Sequence, residues 1–171
     1  MTPFAEAYDR AKQRIAAYGV EVRIGDVLDP NTGDFNGEQI TVDYDQEIDS
    51  AFFVVVHLFG HTVQWNLSEE ARRIGLDLTI GKGEAELGRC REYERAATRY
   101  GMQLIHEAGV TDLDRWISDW WEADWKYLSH YYRTGTKPDF RSLVVPDCGD
   151  LLTPVPIPTF RPQRWPSRWS F

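Results

Sequence analysis

The chain has 171 residues, enough for one domain that buries a core without staples, and its 42% hydrophobic and 27% charged residues exclude a disordered or fibrous protein. A formal net charge of −8 sets the body against phosphate backbones and anionic membranes, so neither nucleic acid nor a membrane is an expected partner. The two cysteines, Cys90 and Cys148, form no Cys-x-x-Cys pair, which excludes a disulfide framework and a cysteine zinc knuckle and fits a reducing cytoplasm.

The first residues, Met1 to Glu6, carry neither a basic n-region nor an apolar h-region, and no run reaches the ~18 apolar residues of a bilayer span. The expectation is a soluble, unprocessed, cytoplasmic protein. Phe4, Ala7, Tyr8, Ala11, Ile15 and Tyr18 recur at helical period and stop at Gly19, predicting an amphipathic helix. Val20–Ile24 and Ile40–Tyr44 alternate, with a turn-rich stretch from Asp29 through Pro30 to Gly37 between them, and predict two strands of a small antiparallel sheet. Helices follow: one over 49–65, a short one from Ser68, a long one from Glu84 to Ala108 closed by Gly109, and an aromatic one over 111–133. Gly81-Lys82-Gly83 lacks phosphate-loop spacing and reads as a turn before the long helix.

The aromatic helix holds Leu113, Trp116, Ile117, Trp120, Trp121, Trp125, Leu128, Tyr131 and Tyr132 at spacings of three and four. Thr111 with Asp114 suggests a capping box, and Arg133 and Gly135 a basic last turn and stop. A core face is favoured over an aromatic ligand platform. From Leu151 onward Pro154, Pro156, Pro158, Pro162 and Pro166 forbid helix and favour an extended arm, which carries Arg161, Arg164 and Arg168 and no acid. Its aromatics, Phe160, Trp165, Trp169 and Phe171, suit a tail lying on an acidic body, its own or a neighbour's.

The chemistry concentrates in Phe52-Phe53-Val54-Val55-Val56-His57-Leu58-Phe59-Gly60-His61-Thr62-Val63-Gln64-Trp65. Spacing of four on a helix rotates the two imidazoles by about 40° and raises them ~6 Å, so both can reach one ion at ~2.0–2.1 Å. On a strand they would stand ~13 Å apart. The apolar β-branched run alone suits a strand, but a segment this long with Gly60 as its one breaker is predicted helical. A buried histidine is more often simply hydrogen-bonded core; what raises the metal reading is Arg89–Gly101, a later helix able to present a carboxylate and leave one coordination position for water. Cys90, His106 and His130 read as ordinary core or surface residues.

In order and spacing these segments resemble the ImmA/IrrE group of zinc metallopeptidase domains, in which strands precede a His-Glu-x-x-His helix and a later helix supplies a Glu in a Glu-x-x-Ala-Asn-x-Phe-Ala context. Asp34–Asp43 resembles the family's turn and strand, His57 and His61 its ligand pair, and Glu94-Arg95-Ala96-Ala97-Thr98-Arg99-Tyr100-Gly101 its third-ligand segment, with Thr98 and Gly101 replacing Asn and Ala. The resemblance spans roughly residues 5 to 110 and implies zinc held by His57, His61 and Glu94, with Glu92 on another helical face. Fe²⁺ suits the same ligand set. It departs at Leu58, where the family has the Glu that shuttles the proton of the attacking water; losing a general base typically removes ~10²–10⁴-fold in rate. No catalytic residue is identified: Glu47, Asp49, Glu69, Glu70, Glu92, Asp119 and Asp124 are all admissible substitutes.

The expected fold is α+β and zincin-like: a small antiparallel sheet plus a helical bundle carrying the His-x-x-x-His helix, with a single metallopeptidase-like domain over 1–150 and a Pro-rich arm over 151–171. The expected function is a metal-dependent hydrolase of the zinc-peptidase superfamily acting on a protein or peptide. The alternative is a catalytically inactive pseudo-peptidase that serves as a metal-stabilised protein-binding module.

Overall fold

The computed structural model describes residues 1–27 and 31–166. Asp29 and Pro30 of the expected turn, and Arg168, Trp169 and Phe171 of the arm, lie outside the described residues. Helix α1 (Phe4–Ala17) buries Ala7, Tyr8, Ala11 and Ile15, the stripe expected from its spacing. Strands β1 (Glu21–Gly25), β2 (Gly33–Phe35) and β3 (Gln39–Asp43) follow, and five further helices: α2 (Ile48–Leu67), α3 (Glu69–Leu76), α4 (Glu84–Glu107), α5 (Asp114–Thr134) and α6 (Phe140–Leu143). The molecule is thus α+β, with six helices and a three-stranded sheet among the described residues.

The sheet is mixed, which corrects the expected antiparallel pairing. Its order is β1-β3-β2, and β1 runs parallel to β3, with Val22 opposite Ile40 and Ile24 opposite Val42. The cause is β2, a short strand hidden in the turn-rich stretch. It pairs antiparallel with β3, placing Phe35 opposite Ile40, and the tight link at Asn36–Glu38 closes a hairpin. With β2 on one edge of β3, β1 takes the other edge and enters in the same direction as β3. Three residues with two turn glycines nearby carry too little alternation to announce a strand.

Helix α2 is the axis of the fold. It is apolar almost all round, as a helix surrounded by protein must be, and Phe52, Val55, Val56, Phe59, Val63 and Trp65 are all but inaccessible. The core around it is completed by Ile40 and Val42 of β3, Met102, Leu104 and Ile105 of α4, and Leu113, Ile117, Trp120 and Trp121 near the start of α5. The aromatic helix therefore packs as core over its first half, while Trp120, Tyr127, Tyr131 and Tyr132 also wall a cavity.

Two end signals differ in outcome. Ser68 caps α3 through its hydroxyl, which accepts from the Ala71 amide at 3.1 Å. The expected Thr111–Asp114 capping box does not form: the N-cap of α5 is Leu113, whose side chain is buried in the core, and the Asp114 carboxylate is taken by His106 at 2.7 Å. At the other end of α5, Gly135 adopts φ 73°, the left-handed stop expected there.

The arm has no regular secondary structure over 151–166 and lies along its own body. Leu152 is buried, its amide donating to Ser118 Oγ at 3.0 Å, and Arg99 Nε donates to the Thr153 carbonyl at 2.7 Å. Phe160 stacks on Tyr18, and Trp165 lies under the Arg72 guanidinium at 3.8 Å. No helix among the described residues is long and apolar enough to cross a membrane.

Candidate metal centre

His57 and His61 project from consecutive turns of α2, and Glu94 meets them from α4. The two helices come together through missing side chains. A Cβ on Gly60 would collide with the Ala97 carbonyl, and one on Gly101 would stand 2.6 Å from the Val56 carbonyl oxygen, so backbone packs directly on backbone where the ligands face each other. Gly101 is thus part of the crossing itself.

The three inward atoms form a tight triangle. His57 Nε2 is 3.0 Å from Glu94 Oε2, His61 Nε2 is 2.9 Å from the same oxygen, and the two Nε2 atoms are 3.0 Å apart. All three residues are buried. A tetrahedral ion bound at ~2.0–2.1 Å separates its ligands by roughly 3.3 Å, so a shift of a few tenths of an ångström suffices to admit one. The group can hold a metal ion.

The outer partners decide what these nitrogens are. The Thr98 hydroxyl donates to the Glu94 carbonyl at 3.2 Å, and its lone pair therefore accepts from His57 Nδ1 at 3.0 Å. The Gln64 amide nitrogen donates to the Tyr93 carbonyl at 2.8 Å, which turns its oxygen to His61 Nδ1 at 2.9 Å. Each imidazole thus keeps its proton on Nδ1, and both Nε2 lone pairs point at the Glu94 carboxylate. Three acceptors facing one another need a positive centre between them. Anchoring of both outer nitrogens by acceptors is the support that metal-ligating histidines receive. Thr98 supplies one of these anchors.

The rings are also clamped sideways. Phe53 stacks on His57, while His61 lies between Phe35 of β2 and Tyr93 of α4. Burial acts to raise the Glu94 carboxyl; with no ion between them, the positive centre is a proton on Nε2, and the charge of His61 with hydrogen bonds donated from the imidazoles then outweighs burial and holds the group well below the usual carboxylate range. Glu92 is exposed and 3.9 Å from Arg95, away from the triangle.

The site opens on a cavity of about 170 Å³ bordered by His57, His61, Glu94, Leu58 and Asp124, next to a larger one of about 590 Å³. Leu58 and Asp124 border both. Leu58 stands over Gly33 of β2, where a Cβ would press on it at 2.8 Å. Of the admissible carboxylates, Glu47 and Asp49 pair with Arg141, Glu70 with Arg73, and Asp119 with Arg115, while Glu69 is exposed. Asp124 alone of the seven borders the cavity beside the triangle, and burial pushes its carboxyl up to about 7, helped by the Glu94 charge against the opposing effect of His57. Composition could not single it out, because Asp124 lies far along the chain on a helix whose rotation is set by packing.

Cys90 packs with Leu87 and Tyr132 and is not among the grouped ligand residues, His106 pairs with Asp114, and His130 is bonded to Thr136. The sequence reading missed Lys82, a buried lysine that pairs with Asp77. No family model, curated protein or solved structure matches the chain.

Proposed function

We propose that this chain is a metal-dependent hydrolase of the zinc-peptidase superfamily, with His57, His61 and Glu94 as ligands and a protein or peptide as substrate. The observation that carries the reading is the convergence of two imidazole lone pairs and one carboxylate oxygen, each outer nitrogen already anchored. The ImmA/IrrE resemblance of residues 5 to 110 points the same way, as does the zincin-like order of strands, His-x-x-x-His helix and glutamate helix. Zn²⁺ suits two imidazoles and a carboxylate, and Fe²⁺ is the second candidate. When bound, the ion supplies Lewis acidity and lowers the pKa of a water toward ~7. The protein's own part is to orient both imidazoles through Thr98 and Gln64, to keep Glu94 ionised, and to hold substrate in the adjoining cavity. Three ligands with an open side suit catalysis better than a closed structural site.

One observation favours a second reading. Leu58 can carry no proton, so the chain would keep its metal and bind a protein partner through the cleft without cleaving it. Metal analysis of chain purified without added metal addresses the ligand set: about one ion per chain is expected, lost in His57→Ala, His61→Ala and Glu94→Gln and kept in Glu92→Gln. Metal retained in the first three variants, or lost in Glu92→Gln alone, overturns the assignment. Chelator-sensitive cleavage of unfolded substrates by the native chain then separates hydrolase from binding module.

A further inference from the structure

Resting on the hydrolase reading of the same site, we propose that Asp124 is its proton carrier, the group that does the work Leu58 cannot. Asp124 borders both the small cavity at the His57, His61 and Glu94 triangle and the larger one beside it, so it stands where the reacting centre meets the space for substrate. Among the described residues no hydrogen bond or ion pair engages its carboxylate. A carboxylate on a cavity wall without a partner is an expensive arrangement for stability alone, because desolvation is not offset.

The competing carboxylates on these walls are already engaged. Asp139 accepts from the Arg141 amide at the start of α6, and Asp34 on β2 has a partner of its own. Asp124 is also outside the set of ligand atoms lying within 4.8 Å of one another, which is formed by His57, His61 and Glu94 alone. It is therefore placed to act through a water and not as a fourth ligand.

In the step assigned to it, the oxygen of the attacking water bonds to the scissile carbonyl carbon while one water proton passes to the Asp124 carboxylate. The C–N bond then breaks, and the same proton moves from Asp124 to the leaving nitrogen. The second water hydrogen stays with the acyl product, so one water is consumed and no redox partner is needed.

The test uses the full chain loaded with Co²⁺, whose visible absorption reports its coordination and the ionisation of a water bound to it, together with fluorescein-labelled casein as substrate. Asp124→Asn is expected to bind Co²⁺ within about threefold of the native chain, to move the pH midpoint of the visible band, and to lower casein hydrolysis by ~10²-fold or more, with partial recovery in Asp124→Glu. A Co²⁺ affinity reduced 100-fold or more in Asp124→Asn would make the residue a ligand and overturn the proposal while leaving the metal site standing. An unchanged band midpoint and an unchanged rate in Asp124→Asn would overturn it as well. Failure of the native chain to bind Co²⁺ or to cleave casein overturns the hydrolase reading, and the role of Asp124 with it.

Discussion

Lys82 is nearly withdrawn from water, with 1% of its side chain exposed, and its ammonium donates to Asp77 Oδ2 at 2.6 Å beside the Tyr132 ring. The amides of Gly81 and Lys82 both donate to the Tyr132 carbonyl, so this pair ties the α3–α4 loop to the end of α5 that walls the cavity. The Lys82 ammonium, with the Thr79 hydroxyl and amide, holds the Asp77 carboxyl well below the usual carboxylate range. A depressed folded value means the contribution is present above the unfolded pKa of ~3.9 and is lost as pH falls below it. Asp77→Asn is expected to destabilise the chain at pH 7 by about 1–3 kcal/mol, less than a fully buried pair because Asp77 is half exposed. Denaturant titrations of the two chains should converge below pH 4; a constant difference down to pH 2 would show that the charge is not what matters. Spacing made His57 and His61 legible as a pair, whereas Lys82 between two glycines looked like any surface turn, because burial of a charge is invisible until the loop is folded.

At the scale of elements, the crossing of α2 and α4 sets the ligand triangle. Gly60 and Gly101 lie on opposite helices, and each faces backbone of the other. Backbone cannot rotate aside as a side chain can, so a methyl at either position forces the helices apart and carries Glu94 away from the imidazoles. Gly60→Ala and Gly101→Ala are each expected to destabilise by ~1–3 kcal/mol or more and to weaken metal binding, despite the better helix propensity of alanine. Denaturant midpoints and chelator competition measure both effects; a Gly60→Ala chain with native stability and affinity would place control of the triangle elsewhere. In the sequence Gly60 reads as the residue before the second histidine, and its packing role needs the partner helix to be known.

Across the whole molecule, the arm acts as a strap. From Leu152 near α5 it passes Arg99 on α4 and reaches the β2–β3 hairpin, where the Trp165 amide donates to the Asn36 carbonyl at 2.7 Å and Asn66 Oδ1 accepts from the Gln163 amide at 2.9 Å. Trp165 also joins Trp65, Tyr93 and Phe35, and the last two clamp His61. Leu152→Ala removes a side chain only 2% exposed and is expected to cost about 2–5 kcal/mol, lowering the thermal midpoint. A second chain ending at residue 158 should lose metal affinity together with stability, because Trp165 no longer backs the residues around His61. Unchanged affinity in that chain would confine the arm to a stabilising role.

Five of the six helices and the histidine pair were legible in the sequence alone, since periodicity and a spacing of four are local properties that need no distant partner, whereas the four-residue α6 is too short to show a period. The family resemblance pointed to Glu94 over Glu92 through its register. Tertiary structure alone decided the rest. The parallel pairing of β1 with β3 depends on where a three-residue strand inserts; the choice of Asp124 among seven carboxylates depends on how α5 is rotated; and the proton positions on His57 and His61 depend on Thr98 and Gln64 reaching them. Each is a contact between segments far apart in the chain, and the energies that set it arise only when those segments are packed together.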